Sequence, residues 1–222
     1  MVTVAVAERI DKRRLKPPTD LFGPVPVPKL WPGDTFVCIG SGPSLTQADV
    51  DYCRDRARVI AIKDAIQLAP WADVLYAAGF DNSYWWQRVG PTLDFAGLRY
   101  TVDPESRAWA SVLRMGSDDL PLAKSPDTLA LGKHSGYQAI NLAVHLGAKR
   151  IVLLGYDMRP ATGKDHFFGA HPHGRSPNFE LFLKWFPAIV EPLEMLDIQV
   201  VNASRDTALT IFPTLPIEAA LP

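Results

Sequence analysis

Cysteine is scarce in this chain: Cys38 and Cys53 are the two in 222 residues. Two thiols do not make a disulfide framework, which excludes the small bridge-stapled folds. A basic excess is missing too. The 23 Lys and Arg stand against 24 Asp and Glu, a formal net charge of −1, which argues against a general nucleic-acid binder. The short cluster Lys12-Arg13-Arg14 with Lys16 does not reverse that and is read as part of a solvated arm. No apolar run reaches membrane-spanning length. Glu8 and Arg9 interrupt the N-terminal stretch where a signal peptide needs a sustained apolar segment. Internal repeats and extended low-complexity tracts are absent as well. A cytoplasmic protein with reduced thiols and no membrane span is the expectation.

What is present describes a globular chain, 47% hydrophobic and 21% charged, long enough to bury a substantial core. Residues 1–33 are punctuated by Lys16-Pro-Pro-Thr-Asp20 and Gly23-Pro-Val-Pro-Val-Pro28. Proline fixes φ and lacks the amide donor, so this is an extended arm. It is suited to wrapping the domain or to reaching a second copy in a homo-oligomer. From residue 34 to 222 strand and helix patterns alternate. Expected strands are Thr35–Ile39, Arg58–Ile62, Val74–Ala78, Leu98–Val102, Arg150–Leu154 and Ile198–Asn202, with a short helix over Thr46–Arg56 and a helical turn over Asp64–Leu68. Tyr137, Ile140, Ala143, Val144 and Leu146 recur at helical spacing after Ser135, with Gly147 as C-cap. Asn178–Leu196 reads as helix broken by Pro187 and Pro192. Continuous apolar strands alternating with helices predict one α/β, Rossmann-like domain: a mostly parallel sheet covered by helices on both faces.

The first strand runs into Gly40-Ser41-Gly42-Pro43-Ser44. A glycine turn between a buried strand and a helix lets an anion approach backbone amides, and glycine also tolerates positive φ. Ser41 and Ser44 add hydroxyls, and Ser44 is a candidate N-cap for the helix that follows. The turn has neither the third glycine of the dinucleotide fingerprint nor the Lys of a Walker loop. An ordinary strand-to-helix turn is the plain alternative.

In parallel sheets ligands bind outside the carboxyl ends of the strands. Lys63 and Asp64, Asp81 and Asn82, Asp157, and Asn202 and Ser204 stand at those ends. Ser135-Gly136 opens the strongest helix and is a second candidate anion contact, with N-capping by Ser135 as the plain alternative. Residues 159–178 are rich in Gly, Pro and His and read as a functional loop. His166, His171 and His173 fall within eight residues there. Histidine is the usual general base near neutral pH, whereas this spacing matches no standard zinc motif. His134 is placed to line the site, and His145 sits mid-helix as a structural residue. Tyr84-Trp85-Trp86 suits base stacking or core packing, of which core packing is the simpler.

The order of these motifs resembles the bacterial sialyltransferase family of the Campylobacter lipooligosaccharide type. It also resembles a related group of proteins that includes archaeal 6-hydroxymethylpterin diphosphokinases. The likeness spans roughly residues 35–212 and rests on Gly40-Ser-Gly-Pro-Ser-Leu45, Ser135-Gly136, Ile151-Val-Leu-Leu-Gly-Tyr-Asp157 and His166. It implies a single Rossmann-like domain that takes a nucleotide-sugar and moves the sugar to an acceptor hydroxyl, without need of a metal. Gly40, Ser41, Gly42, Ser44, Ser135 and Gly136 become nucleotide contacts, with Lys63, Asp64 and Asp81 on the same rim. Asp157 becomes a residue of the site floor and His166 the catalytic base. Ser41 departs from the Asn of the family turn, and Ile62-Lys-Asp64 departs from an Asn at the second strand end. Lys63 suits a di- or triphosphate, which keeps open a Mg²⁺-dependent diphosphokinase acting on a pterin-like molecule. Asp64, Asp81 or Asp157 are its candidate metal ligands. A non-catalytic binding module on the same fold is the third reading.

Overall fold

The computed structural model describes residues 23–79, 84–161, 163–169 and 177–221. Asp81, Asn82, His171, His173 and the first 22 residues of the arm lie outside them.

Seven strands form one parallel sheet in the order β5-β4-β3-β2-β1-β8-β9. They are β1 (Thr35–Ile39), β2 (Arg58–Ile62), β3 (Val74–Tyr76), β4 (Leu98–Thr101), β5 (Ser111–Val112), β8 (Arg150–Leu154) and β9 (Gln199–Asn202). Two-residue strands β6 (Arg114–Met115) and β7 (Thr128–Leu129) pair in parallel beside it. The α/β expectation is met, and every pairing in the sheet is parallel. β1 lies between β2 and β8. The chain therefore builds outward on one side of β1 and then returns to the other, which opens a crevice at the carboxyl ends of β1 and β8.

The apolar runs are explained by burial on both faces. Along β1, Phe36 and Cys38 enter one buried cluster with Tyr137, Ile140 and Phe186. Val37 and Ile39 enter a second with Val50, Trp86 and Ile217. The first cluster draws on α3 (Ser135–Leu146) and α5 (Pro187–Met195). The second draws on α1 (Gln47–Tyr52), α2 (Tyr84–Val89) and α6 (Ile217–Ala220). Trp86 is fully buried and donates its indole N–H to the Ala77 carbonyl, so core packing is its role.

Helix boundaries follow their caps. α1 is shorter than expected, ending at Tyr52 rather than Arg56, and its N-cap is Thr46, not Ser44; the Thr46 hydroxyl accepts from the Asp49 amide. Gly147 ends α3 at φ +111°, a left-handed conformation that favours glycine. The orphan carbonyls of Leu146 and Gly147 accept from the amides of Trp31 and Gly33. The arm therefore wraps the domain over its last stretch, with Val25 and Val27 donating to Val112 and Pro126 carbonyls and with Val27 and Trp31 buried. The segment after residue 177 breaks at Pro187, which opens α5 after α4 (Phe179–Trp185), but not at Pro192, which lies inside α5. Among the described residues no helix is long and apolar enough to cross a membrane.

Candidate functional site

A cleft of about 520 Å³ opens at the β1/β8 crossover. Of the residues singled out from sequence, Gly40, Ser41, Gly42, Lys63, Asp64, Ser135, Gly136, Asp157 and His166 all line it. Ser44 faces Asp157, while Asp81 lies outside the described residues.

The turn after β1 is held by β8. Gly40 and Gly42 donate their amides to the carbonyls of Leu154 and Gly155, at 2.8 Å each. Ser44 donates its amide to one oxygen of Asp157 at 2.7 Å and its hydroxyl to the other at 2.9 Å. Leu45 donates to Gly42, and Pro43 has no amide proton. The amide cradle expected for an anion is therefore spent on protein acceptors, which leaves a ligand at most the Ser41 amide. The glycines also have another reason than positive φ, which neither Gly40 nor Gly42 adopts. A Cβ on Gly40 would lie 2.6 Å from the Gly155 oxygen, and one on Gly42 2.1 Å from Asp157 Oδ1. Close approach to β8, not an unusual backbone, requires them.

Asp157 is 1% exposed. Burial raises its pKa above the ordinary carboxylate value, and the two Ser44 bonds oppose that rise. With both oxygens held by Ser44, its role as floor of the site is to lock the turn. Asn202 and Ser204 are likewise structural. Asn202 bonds Thr207, the Leu209 carbonyl and the Ser204 amide, and the Ser204 hydroxyl accepts from the Tyr156 amide.

The α3 terminus also differs from expectation. Its N-cap is His134, not Ser135: the ring Nδ1 accepts from the Gly136 amide at 3.1 Å and from the Tyr137 amide at 3.4 Å. An accepting Nδ1 is unprotonated, so the ring proton sits on Nε2. Nε2 is buried, with no hydrogen-bond partner among the described residues. Phe182 and Phe186 pack against the ring at 4.6 and 5.0 Å between centroids. Burial, with help from the Lys63 charge, pushes the His134 pKa down to about 3. The unfolded chain protonates this histidine near its ordinary value, so stability is lost as pH falls from about 6.5 towards 3. Asn is also a good N-cap. His134→Asn is expected to lose about 2 kcal/mol less than wild type between pH 7 and pH 4.5 in urea titrations; equal losses would contradict the buried neutral ring.

His166 stands beside the turn. Its Nδ1 lies 2.9 Å from Ser41 Oγ, its ring stacks on Phe168 at 4.8 Å and 14°, and the next amide, of Phe167, donates to the Ser41 carbonyl.

Arg88, Lys133 and Met158 line the cleft without having carried a sequence signal, while Trp85 belongs to the aromatic run read from sequence. Trp85 donates its indole N–H to Asp64, and Arg88 pairs with the same carboxylate at 3.7 Å; both belong to α2, whose period the aromatic run concealed. Lys133 pairs with Asp118 and lies over Trp185. Lys63, Lys133 and Met158 have φ of 50°, 62° and 52°. They are three of the five described non-glycine residues in that region, and all three line this one cleft. Such strain gathers at ligand sites. Proximity to Gly132 and Gly155 in sequence was the available hint. Among the described residues no group of three or more His, Cys, Asp or Glu is placed to hold a metal ion. Comparison with protein-family models, curated proteins and solved structures returned no match to this chain.

Proposed function

We infer that the chain is a nucleotide-dependent transferase, most like a glycosyltransferase of the sialyltransferase kind. The observation that carries this reading is the joining of the Ser41–His166 pair with cations and aromatic walls in one cleft at the sheet's crossover. Lys63, Arg88 and Lys133 supply positive charge for a phosphate, and Trp85, Phe168 and Phe182 supply faces for a base or sugar ring. Anion recognition falls to these side chains, because the turn's amides are occupied. The acceptor hydroxyl oxygen bonds to the anomeric carbon as its proton passes towards His166. The bond from that carbon to the phosphate oxygen breaks, and the phosphate leaves with the electron pair.

The diphosphokinase reading draws less support, since Asp64 is held by Trp85 and Arg88 and Asp157 by Ser44. A thermal-shift panel of CMP, CDP, UDP, GDP, ATP with Mg²⁺ and the corresponding nucleotide-sugars tests both. A ligand at about one hundred times its Kd adds about 2.7 kcal/mol, a rise of several degrees in Tm. A shift with nucleotide-sugars is the expected result. A shift with Mg-ATP alone would favour the diphosphokinase, and no shift at all would favour a non-catalytic module.

A further inference from the structure

We propose that His166 reaches the cleft through Ser41, whose hydroxyl is the group offered to the acceptor; this rests on the transferase reading above. Two contacts clasp the pair: Ser41 Oγ to His166 Nδ1 at 2.9 Å, and the Phe167 amide to the Ser41 carbonyl at 3.0 Å. Phe168 fixes the plane of the ring, and the Gly169 amide closes a turn onto the His166 carbonyl. The second ring nitrogen, Nε2, is shut off from solvent. Nδ1 is therefore the nitrogen on the cleft side, and Ser41 stands on it. Ser41 itself projects between Gly40 and Gly42, neither of which accepts a side chain.

A covalent role for Ser41 fits less well. In acyl transfer the amide after a nucleophile is the usual oxyanion donor, and that of Gly42 is given to Gly155, so Ser41 is not set up as an acyl-transfer nucleophile. A relay needs no such donor. The acceptor O–H gives its proton to Ser41 Oγ while the Ser41 proton moves to His166 Nδ1, and the acceptor oxygen bonds to the anomeric carbon as the phosphate leaves. The base ends as imidazolium and Ser41 is regenerated.

Diethylpyrocarbonate acylates unprotonated imidazole nitrogens, so it reads the clasp without any knowledge of the substrate. The full chain is treated at neutral pH and each histidine followed by peptide mass spectrometry. In wild type His166 is slow. In Ser41→Ala it is expected to react about tenfold faster, the factor that corresponds to one lost hydrogen bond, while Ser41→Thr stays slow. Unchanged His134 and His145 rates report an intact fold. Equal His166 rates in wild type and Ser41→Ala overturn the proposal, whether or not a nucleotide binds. On any nucleotide-sugar that raises Tm, Ser41→Ala should lower kcat about 100-fold with the Kd unchanged, and Ser41→Thr should restore most of it. An undiminished kcat in Ser41→Ala overturns the relay.

Discussion

Gly42→Ala is expected to destabilise the fold by about 3 kcal/mol, the upper end of the cost of overpacking. The added methyl would lie 2.1 Å from Asp157 Oδ1, 2.4 Å from its Cγ and 2.8 Å from the Gly155 carbonyl oxygen. Asp157 cannot swing aside cheaply, because the Ser44 amide and hydroxyl hold both of its oxygens in a site that is 1% exposed. Moving it leaves buried donors and a buried carboxylate without partners. Urea denaturation measures the cost, with Gly23→Ala as the neutral control, since no atom of the described residues lies within 4 Å of a Cβ there. The mechanism is isolated by a double-mutant cycle with Asp157→Ala. Each substitution disrupts the same contact, so the pair should cost less than the sum by about 1 kcal/mol or more. A loss under about 0.5 kcal/mol in Gly42→Ala, the range of neutral surface changes, would contradict the tight approach of the turn to β8.

The same turn shows where sequence reasoning held and where it stopped. Phe36–Ile39 and Ile151–Leu154 are apolar runs bounded by glycine, and such runs identify buried parallel strands directly, as the sheet bears out. Gly147 and Pro187 marked helix ends for equally local reasons, a left-handed cap and a missing amide. The caps at the starts of α1 and α3 were misread because the signal is shared among neighbours. Ser44 and Thr46 are both good caps, and only tertiary demand from Asp157 removes Ser44 from the choice. His134 caps α3 with a ring nitrogen, a use of histidine that composition does not signal. The strands β5, β6 and β7 have two residues each, too few for a period, and part of their pairing is with the arm. The rim residues converge by topology, which order along the chain did foresee. Which of them face a ligand depends on hydrogen bonds between distant segments. Asp157 is consumed by such bonds and Asn202 by local ones, while Arg88 enters the cleft from α2, whose period was hidden, and Lys133 from the turn before α3.

Removing the imidazole at position 166 should have the largest effect on activity. His166→Ala is expected to lower transfer from the nucleotide-sugar identified by thermal shift by about 10² to 10⁴-fold, the usual contribution of a positioned base. The affinity for the nucleotide itself should change less than the rate, because Phe168 stacks on that ring whereas the other walls, Trp85 and Phe182, and the cations Arg88 and Lys133 belong to other segments of the lining. The predicted signature is a fall in kcat that outstrips any change in the nucleotide Kd. A purely structural histidine gives a different pattern. Loss of the Phe168 stack and of the Ser41 contact would loosen the 163–169 loop, so affinity, stability and rate would fall together. Added imidazole offers a second discrimination, since it can replace a missing base in the vacated space but cannot rebuild a loop. Partial recovery of turnover with millimolar imidazole in His166→Ala, and none in Ser41→Ala, is the expected result. Unchanged turnover in His166→Ala would remove the base from the mechanism. Recovery in both variants would place the base on the cleft side of Ser41, against the relay.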